Sequence, residues 1–266
     1  MKGQNKTFKG FLFDLDGTVY LGDRLIPGAD RAIRRLREKG KKVVFLSNKS
    51  IQTREDYASK LTRLGIPTRP DEVINSTRVM IHYLKTNAPG ARVFVVGEPP
   101  FVEEVRRAGF VIREDPKEID YVIVGFDRTF NYRKLNIAFQ SIKRGAHFVA
   151  TNPDRTCPVE GGEIPDCAAM IAAIEAVTRQ KVEAIVGKPA PWMLQAALDV
   201  MKLQPQDCIL IGDRLETDIQ MGKNSGIATG LVLSGVTDEK TLRESSSQPD
   251  YVFRSIVDIE TLQCIS

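Results

Sequence analysis

The chain has 266 residues, 42% of them hydrophobic and 27% charged, the ordinary composition of a soluble protein with room for one large folded unit or two modest ones. Its 38 lysines and arginines exceed its 34 aspartates and glutamates by only four, and the densest basic stretch, "RAIRRLREKGKK", includes Glu38 and reads as the wet face of a helix, so no nucleic-acid partner is expected. Cys157, Cys167, Cys208 and Cys264 form no CxxC pair and no stretch nears the roughly 18 apolar residues of a membrane span, which argues against zinc and against a membrane partner.

In chain order, the opening "MKGQNKTFKG" lacks the apolar run of a signal peptide, so a reduced, cytoplasmic protein is expected. Short β-branched and aromatic runs then alternate with amphipathic ones. "GFLFDL", "KKVVFLSN", "ARVFVVGE", "YVIVGFD", "AHFVATN", "EAIVGKP", "CILIGD" and "ATGLVLSG" read as strands, continuous in hydrophobicity as strands covered on both faces are. Between them "GADRAIRRLREKG", "TREDYASKLTRLG", "NYRKLNIAFQSIKRG", "DCAAMIAAIEAVTRQ", "PWMLQAALDVMKL" and "ETDIQMGKNSG" read as helices, several stopping at glycine. The alternation predicts an α/β protein with a doubly wound, Rossmann-like parallel sheet whose ligands gather at the carboxyl ends of the strands. Residues 82–181 hold strand and helix signals of their own and are expected to form a smaller inserted α/β lobe. Residues 1–81 and 182–266 are left as a discontinuous core, with borders near "TRVMIHYLKTN" and "TRQKVEA".

Four strand ends then deliver polar groups to one rim. Asp14 and Asp16 follow "GFLF", Ser47 and Asn48 follow "VVFL", Lys188 follows "EAIVG", and Asp213 follows "CILIG". Two carboxylates at the end of an apolar strand repel each other and lose hydration, so either they face solvent or a positive group sits between them. Mg²⁺ suits that place, because it takes one or two carboxylates and completes its shell with water and phosphate oxygens. Ser47 and Asn48 serve equally as loop or helix-capping residues or as neutral donors to phosphate. Lys188, between Gly187 and Pro189, supplies a point charge for a phosphoryl group.

"DLDGT", "SN" after a strand, "GKP" and "GDRLETD", in that order, resemble the four motifs of the haloacid dehalogenase superfamily, across almost the whole chain. Only about thirty residues separate Asp16 from Ser47, so the long insertion falls between Ser47 and Lys188, where this family's C2-type cap lies. "VGFDRTFNYRKL", "ATNPDRTCPVEGG" and "IPDCAAMIAAIEA" resemble caps of its subfamily IIA phosphatases, the group containing nucleotide-, sugar- and pyridoxal-phosphate phosphatases, which commonly also hydrolyse p-nitrophenyl phosphate. The resemblance implies an Mg²⁺-dependent phosphatase acting on a small phosphate ester through an aspartyl-phosphate. Asp14 would be the nucleophile and Asp16 the acid and base, and the metal would be held by Asp14, the Asp16 carbonyl and Asp213, with Asp218 orienting that shell. Ser47, Asn48 and Lys188 would hold the phosphoryl oxygens, and Arg214, Leu215, Glu216 and Thr217 would line the rim. In the cap, Asp166 either accepts from substrate hydroxyls or caps the helix that starts at Cys167. Asn152 and Asp154 in "TNPDRT" are similarly placed, and loop chemistry accounts for them at least as easily. Relatives with this cap often pair through it, so a homodimer is the partner the resemblance carries.

Two rivals remain on sequence alone. A signalling receiver also uses strand-end acids, a hydroxyl and a lysine, but is about half this length and needs no lobe of about 100 residues. A phosphotransferase or phosphomutase of the same superfamily would pass the phosphoryl group to a second sugar instead of water.

Overall fold

The computed structural model describes residues 7–159 and 161–262; Cys264 and residues 1–6 of the opening stretch lie outside them. The strands are, in chain order, β1 (Gly10–Asp14), the hairpin β2 (Tyr20–Leu21) and β3 (Arg24–Leu25), β4 (Lys42–Ser47), β5 (Val73–Asn75), β6 (Arg92–Val96), β7 (Val111–Ile112), β8 (Tyr121–Val124), and β9 (His147–Ala150). There follow the hairpin β10 (Thr156–Val159) and β11 (Gly162–Pro165), then β12 (Ala184–Ile185), β13 (Cys208–Gly212), β14 (Ala228–Val232) and β15 (Tyr251–Phe253). Among the described residues they form a six-stranded parallel sheet in the order β15-β14-β13-β1-β4-β5 and a five-stranded parallel sheet in the order β12-β9-β8-β6-β7.

β1 lies inside the first sheet. From it the chain winds outward to β4 and β5 on one side and, after the second lobe, to β13, β14 and β15 on the other. The order therefore reverses at β1, and the crevice beyond its carboxyl end is where such a fold receives ligands. Alternate side chains explain the unbroken apolar runs. Phe11, Phe13, Val43, Phe45, Ile209 and Ile211 pack to one face against Ala32, Ile33 and Leu36 of the helix Ala29–Glu38 and Tyr57 and Leu61 of the helix Arg54–Arg63. Leu12, Val44, Leu46 and Leu210 pack to the other, against the helices Ser76–Asn87 and Pro191–Met201.

That second cluster does not end with the first sheet. Val93, Val95, Ile123 and Val149 of the second sheet belong to it, while Phe94, Val96, Val122, Val124 and Phe148 face the helices Tyr132–Ile142 and Cys167–Thr178. The two lobes thus share one apolar seam. Trp192 packs edge-on against Tyr83 there at 5.7 Å between ring centres, the packing role its position in an apolar helix predicts.

Two expectations are corrected. The run "EAIVG" was assigned to the core, but β12 pairs with β9 in the second sheet, Ala184 opposite Val149 and Ile185 opposite Ala150. A two-residue strand carries no local mark of which ladder accepts it; its partner is chosen by where the preceding helix leaves it. A border near residue 81 falls inside the unbroken helix Ser76–Asn87, whose Val79, Met80 and Leu84 are buried in the seam. β5, β7, β15 and the two hairpins were not read from the sequence, being two to four residues long. The stretch "ETDIQMGKNSG" is not one regular helix either: Leu215–Ile219 winds as a wide π-type turn before the short helix Gln220–Asn224. Among the described residues no helix is long and apolar enough to cross a membrane.

The seam also holds a titratable group. Burial first and Glu55 of the helix Arg54–Arg63 next raise half-buried Glu104, in the helix Pro99–Arg107, to about 7. A carboxyl raised in the folded state stabilises the fold only while protonated. Its contribution is intact below the ordinary value of 4.5 and is lost as pH climbs toward 7. Glu104→Gln is therefore expected to flatten the fall in stability across this window, as read by urea denaturation at a series of pH values. An unchanged pH slope would contradict the burial argument.

Candidate active site

The apolar strand β1 ends on Asp14, a residue only 8% exposed. The turn beyond it passes through Gly17 at φ 84°, a left-handed backbone that glycine adopts without strain, and a Cβ there would run into the Asp213 carboxylate. Lys188, 3% exposed, donates from Nζ to Asp14 Oδ1 and, at 2.7 Å, to Asp218 Oδ1. Asp218 folds back from the π-type turn so that its Oδ2 accepts from the Arg214 backbone N–H at 3.2 Å. Asp213 Oδ2 accepts from the Val236 N–H at 2.7 Å.

One oxygen from each of Asp14, Asp213 and Asp218 lies within 4.8 Å of the others, and all three residues are buried. Three carboxylates thus face one ammonium. Burial works against the charge on Lys188, but Asp14 and Asp218 together raise its pKa and hold it protonated. Burial, with Asp218 adding repulsion, raises Asp14 well above the usual carboxylate range and pushes Asp213 up to about 7. If all ionise, Lys188 and the Arg214 guanidinium, which acts on Asp213, still leave an excess of negative charge. The bonds named above leave Asp14 Oδ2 and Asp213 Oδ1 for another partner. A buried, oxygen-only, anionic set of this kind fits a hard divalent cation.

Asp16 is not part of that cluster. Its carboxylate pairs with Lys49 Nζ at 2.8 Å, and both line the same hollow as Asp14. The turn that follows β1 has separated the two acids into different surroundings. Burial works against the charge on Lys49, but Asp16, Cys157 and Tyr57 together raise it above its usual value. Ser47, at the end of β4, donates to Tyr57 Oη at 3.1 Å and accepts from the Lys49 N–H at 3.2 Å. Asn48 was expected to offer its amide to phosphate. Instead its Nδ2 donates to Asp154 Oδ2 at 3.0 Å and to the Lys188 carbonyl at 3.2 Å, while its Oδ1 accepts from the Lys188 N–H at 2.8 Å.

The second lobe supplies the ceiling. Asp14, Asp16, Ser47, Asn48, Lys49 and Lys188 face Asp154, Thr156, Cys157, Pro158 and Asp166 across a hollow of about 40 Å³, closed at one side by Arg214 and Thr217. Arg214 spans the lobes, donating from Nη2 to the Thr156 carbonyl at 3.0 Å. The Thr217 hydroxyl is buried at the hollow without a hydrogen-bond partner among the described residues. Past Asp16, Lys49, Cys157 and Pro158 the hollow widens into a chamber of about 750 Å³, walled by Tyr20, Leu25, Ile51, Phe126 and Ile164 among others.

Of the residues singled out in the sequence, the fold thus gathers Asp14, Asp16, Ser47, Asn48, Lys188, Asp213, Asp218, Arg214, Thr217 and Asp166 around one point. Leu215 turns away into a small apolar cluster with Ile219 and Leu231, and Glu216 is 68% exposed on the outer surface. Both were expected at the rim; a π-type turn distributes successive side chains around its axis, so neighbours of Asp213 in sequence are not neighbours in space. Asp166 accepts from the Cys167 N–H at 2.5 Å, capping its helix, and from Asn152 Nδ2 at 3.1 Å. Burial, with Asp154 next, pushes it up to about 6. Lys49 was missed although it adjoins Asn48, and Asp154 was passed over as a loop residue. The sequence carried no signal for either pairing, because each partner lies in a distant segment.

Comparison with known proteins adds to this geometry. Residues 11–111 match the family model described as haloacid dehalogenase-like hydrolase, and residues 185–259 match a second one described as HAD-hydrolase-like. The chain is similar to the sugar-phosphatase AraL of Bacillus subtilis, 42% identical over 253 residues that cover 95% of this chain and 92% of the relative. It is also similar to the acid sugar phosphatase of Staphylococcus haemolyticus, at 35% identity over 94% of this chain and 95% of the other. Among solved structures, the 4-nitrophenylphosphatase of Thermotoga maritima superposes with a TM-score of 0.91 at 34% identity, covering 97% and 98% of the two chains.

One glycine tests the crossing at which this site is assembled. A Cβ on Gly187 would stand 2.6 Å from Asn48 Oδ1 and closer still to the Thr151 carbonyl. Gly187→Ala is expected to cost about 1–3 kcal/mol in urea unfolding, since backbone cannot yield as a side chain does. Unaltered stability would show that Asn48 and Gly187 are not in contact.

Proposed function

We propose that this chain, which belongs to the haloacid dehalogenase-like hydrolases and is a phosphatase, hydrolyses small sugar phosphates through a phosphorylated Asp14, with Mg²⁺ as its metal. The observation that carries the reading is that Asp14, buried in the Asp213–Asp218–Lys188 cluster, lines the same small hollow as Asp16, which lies outside that cluster and pairs with Lys49. A lone acidic cluster could be a bare cation site. A second acid on the same phosphate-sized hollow is what two-step phosphoryl transfer needs.

Lys188 engages Asp14 Oδ1, and because each carboxylate oxygen carries two lone pairs, Asp14 can direct one oxygen to phosphorus and still share the other with an ion. In the first step the Asp14 Oδ–P bond forms and the P–O bond to the sugar breaks. Asp16, beside the wider chamber into which the sugar would extend, gives its proton to the departing oxygen. In the second step water attacks phosphorus from the same side, Asp16 takes its proton back, and the Asp14–phosphorus bond breaks to release inorganic phosphate. Lys188 and the unpartnered Thr217 hydroxyl line the hollow as donors to the phosphoryl oxygens, and Ser47 would join them by turning its proton away from Tyr57, stabilising charge as it shifts. Asp14 and Asp213 would hold Mg²⁺, with Asp218 fixed behind them by Lys188 and the Arg214 N–H, and the ion would offset charge on the phosphoryl group. The sugar preference rests on the two sugar-phosphatase relatives, and the chamber is roomy enough for such a group.

Two outcomes test this. Asp14→Asn is expected to lose at least about a thousandfold in turnover of p-nitrophenyl phosphate while its melting temperature holds or rises, because one of three repelling carboxylates is gone. Near-wild-type turnover in that variant would end the nucleophile assignment. Turnover should also vanish after exhaustive chelation and return with Mg²⁺; full activity of the chelated enzyme would remove the metal from the reaction.

A further inference from the structure

Asn48 sits at the hollow with its side-chain hydrogen bonds spent inside the protein. An amide has two N–H donors. One goes to the Lys188 carbonyl at 3.2 Å and one to Asp154 Oδ2 at 3.0 Å, while Oδ1 accepts from the Lys188 N–H at 2.8 Å. The side chain therefore brackets the backbone of Lys188 on both sides. Lys188 needs this support. It stands just past the end of β12, in the second sheet, where the Gly187 N–H still donates to the Thr151 carbonyl at 2.7 Å. From there its ammonium must reach Asp14 and Asp218 in the core.

Asp154 belongs to the same second lobe. Asn152 Nδ2 donates to its Oδ2 at 3.0 Å, and the Thr151 hydroxyl holds Asn152 Oδ1 at 2.7 Å. We propose that Asp154 is a positioning residue for the catalytic lysine: by accepting from Asn48 across the seam between the lobes, it fixes the amide that brackets Lys188. This deepens, and rests on, the phosphatase reading above. A carboxylate aimed at a phosphate dianion would repel it. Turned onto two amide N–H groups, its charge is taken up by donors and serves geometry instead. The second lobe then does more than roof the hollow: it completes the cationic end of the site through a core residue.

Kinetics of Asp154→Ala, Asp154→Asn, Asn48→Ala and the double Ala variant on p-nitrophenyl phosphate and on a hexose phosphate test this, with folding checked by circular dichroism. Loss of a positioning contact is expected to lower kcat about 10- to 100-fold on both substrates with KM changed less than about threefold. Asp154→Asn keeps an acceptor oxygen and should stay within about threefold of wild type, and it also covers the case in which the Ala variant fails to fold. Because the two residues act in series, the double variant should be no slower than Asn48→Ala alone. Multiplying losses in the double variant, or an Asp154→Ala effect confined to KM or to the hexose phosphate, would overturn the proposal in favour of a direct contact with substrate. An active wild type with an unimpaired Asp154→Ala variant would sink the coupling alone. A wild type that hydrolyses neither ester would sink the functional reading beneath it.

Discussion

One ammonium facing three buried carboxylates is the constraint to which the rest of this structure answers. Asp14, Asp213 and Asp218 crowd the end of β1, and Lys188 alone among nearby side chains donates to two of them. Such a cluster is costly in an apolar interior and persists only if each oxygen has a partner or a proton. The surrounding chain is shaped accordingly. Gly17 and Gly235 have no side chain where Asp213 lies, Gly212 has none where Asp218 lies, and the backbone N–H groups of Arg214 and Val236 point at Asp218 Oδ2 and Asp213 Oδ2. The residual negative charge makes the site receptive to a divalent cation and, through it, to phosphate.

Charge and shape are divided between the lobes. The core contributes both acids and the carboxylate cluster from the ends of its central strands. The second lobe contributes the ceiling and, in Lys188, the counter-charge, carried in just past its own edge strand. Polar contacts cross the opening where the lobes meet: Asn48 to Asp154, Arg214 to the Thr156 carbonyl, and the Phe126 N–H to Ser50 Oγ at 3.2 Å. Behind them the shared apolar cluster provides the broad contact. A hollow of about 40 Å³ between the lobes limits bulk water around the acids, and the wider chamber beside it leaves room for the alcohol half of a phosphate ester under the proposed reaction.

Asp14 and Asp16 show why two acids two residues apart can play different parts. On a regular strand both side chains would lean one way. The turn through Gly17 sends Asp16 toward Lys49 instead, out of the cluster that surrounds Asp14. Their environments, more than their identities, suit one to the proposed role of nucleophile and the other to that of proton carrier.

Most of the fold was legible in the linear chain, since eight strands and most of the long helices announce themselves by unbroken apolar runs, amphipathic spacing and glycine stops. The acids of β1 and β13, the Ser47–Asn48 pair and Lys188 were legible too, because chemistry at strand ends shows as polar residues interrupting apolar ones. What escaped was whatever depends on a partner far away in sequence. β12 could not be assigned to its sheet from two residues, Leu215 could not be told from Thr217 before the π-type turn was wound, and Asp154 looked like any loop aspartate until Asn48 stood opposite it. Periodicity and composition are local properties and survive in a string of letters; a hydrogen bond between residues 106 positions apart exists only once the chain has closed on itself.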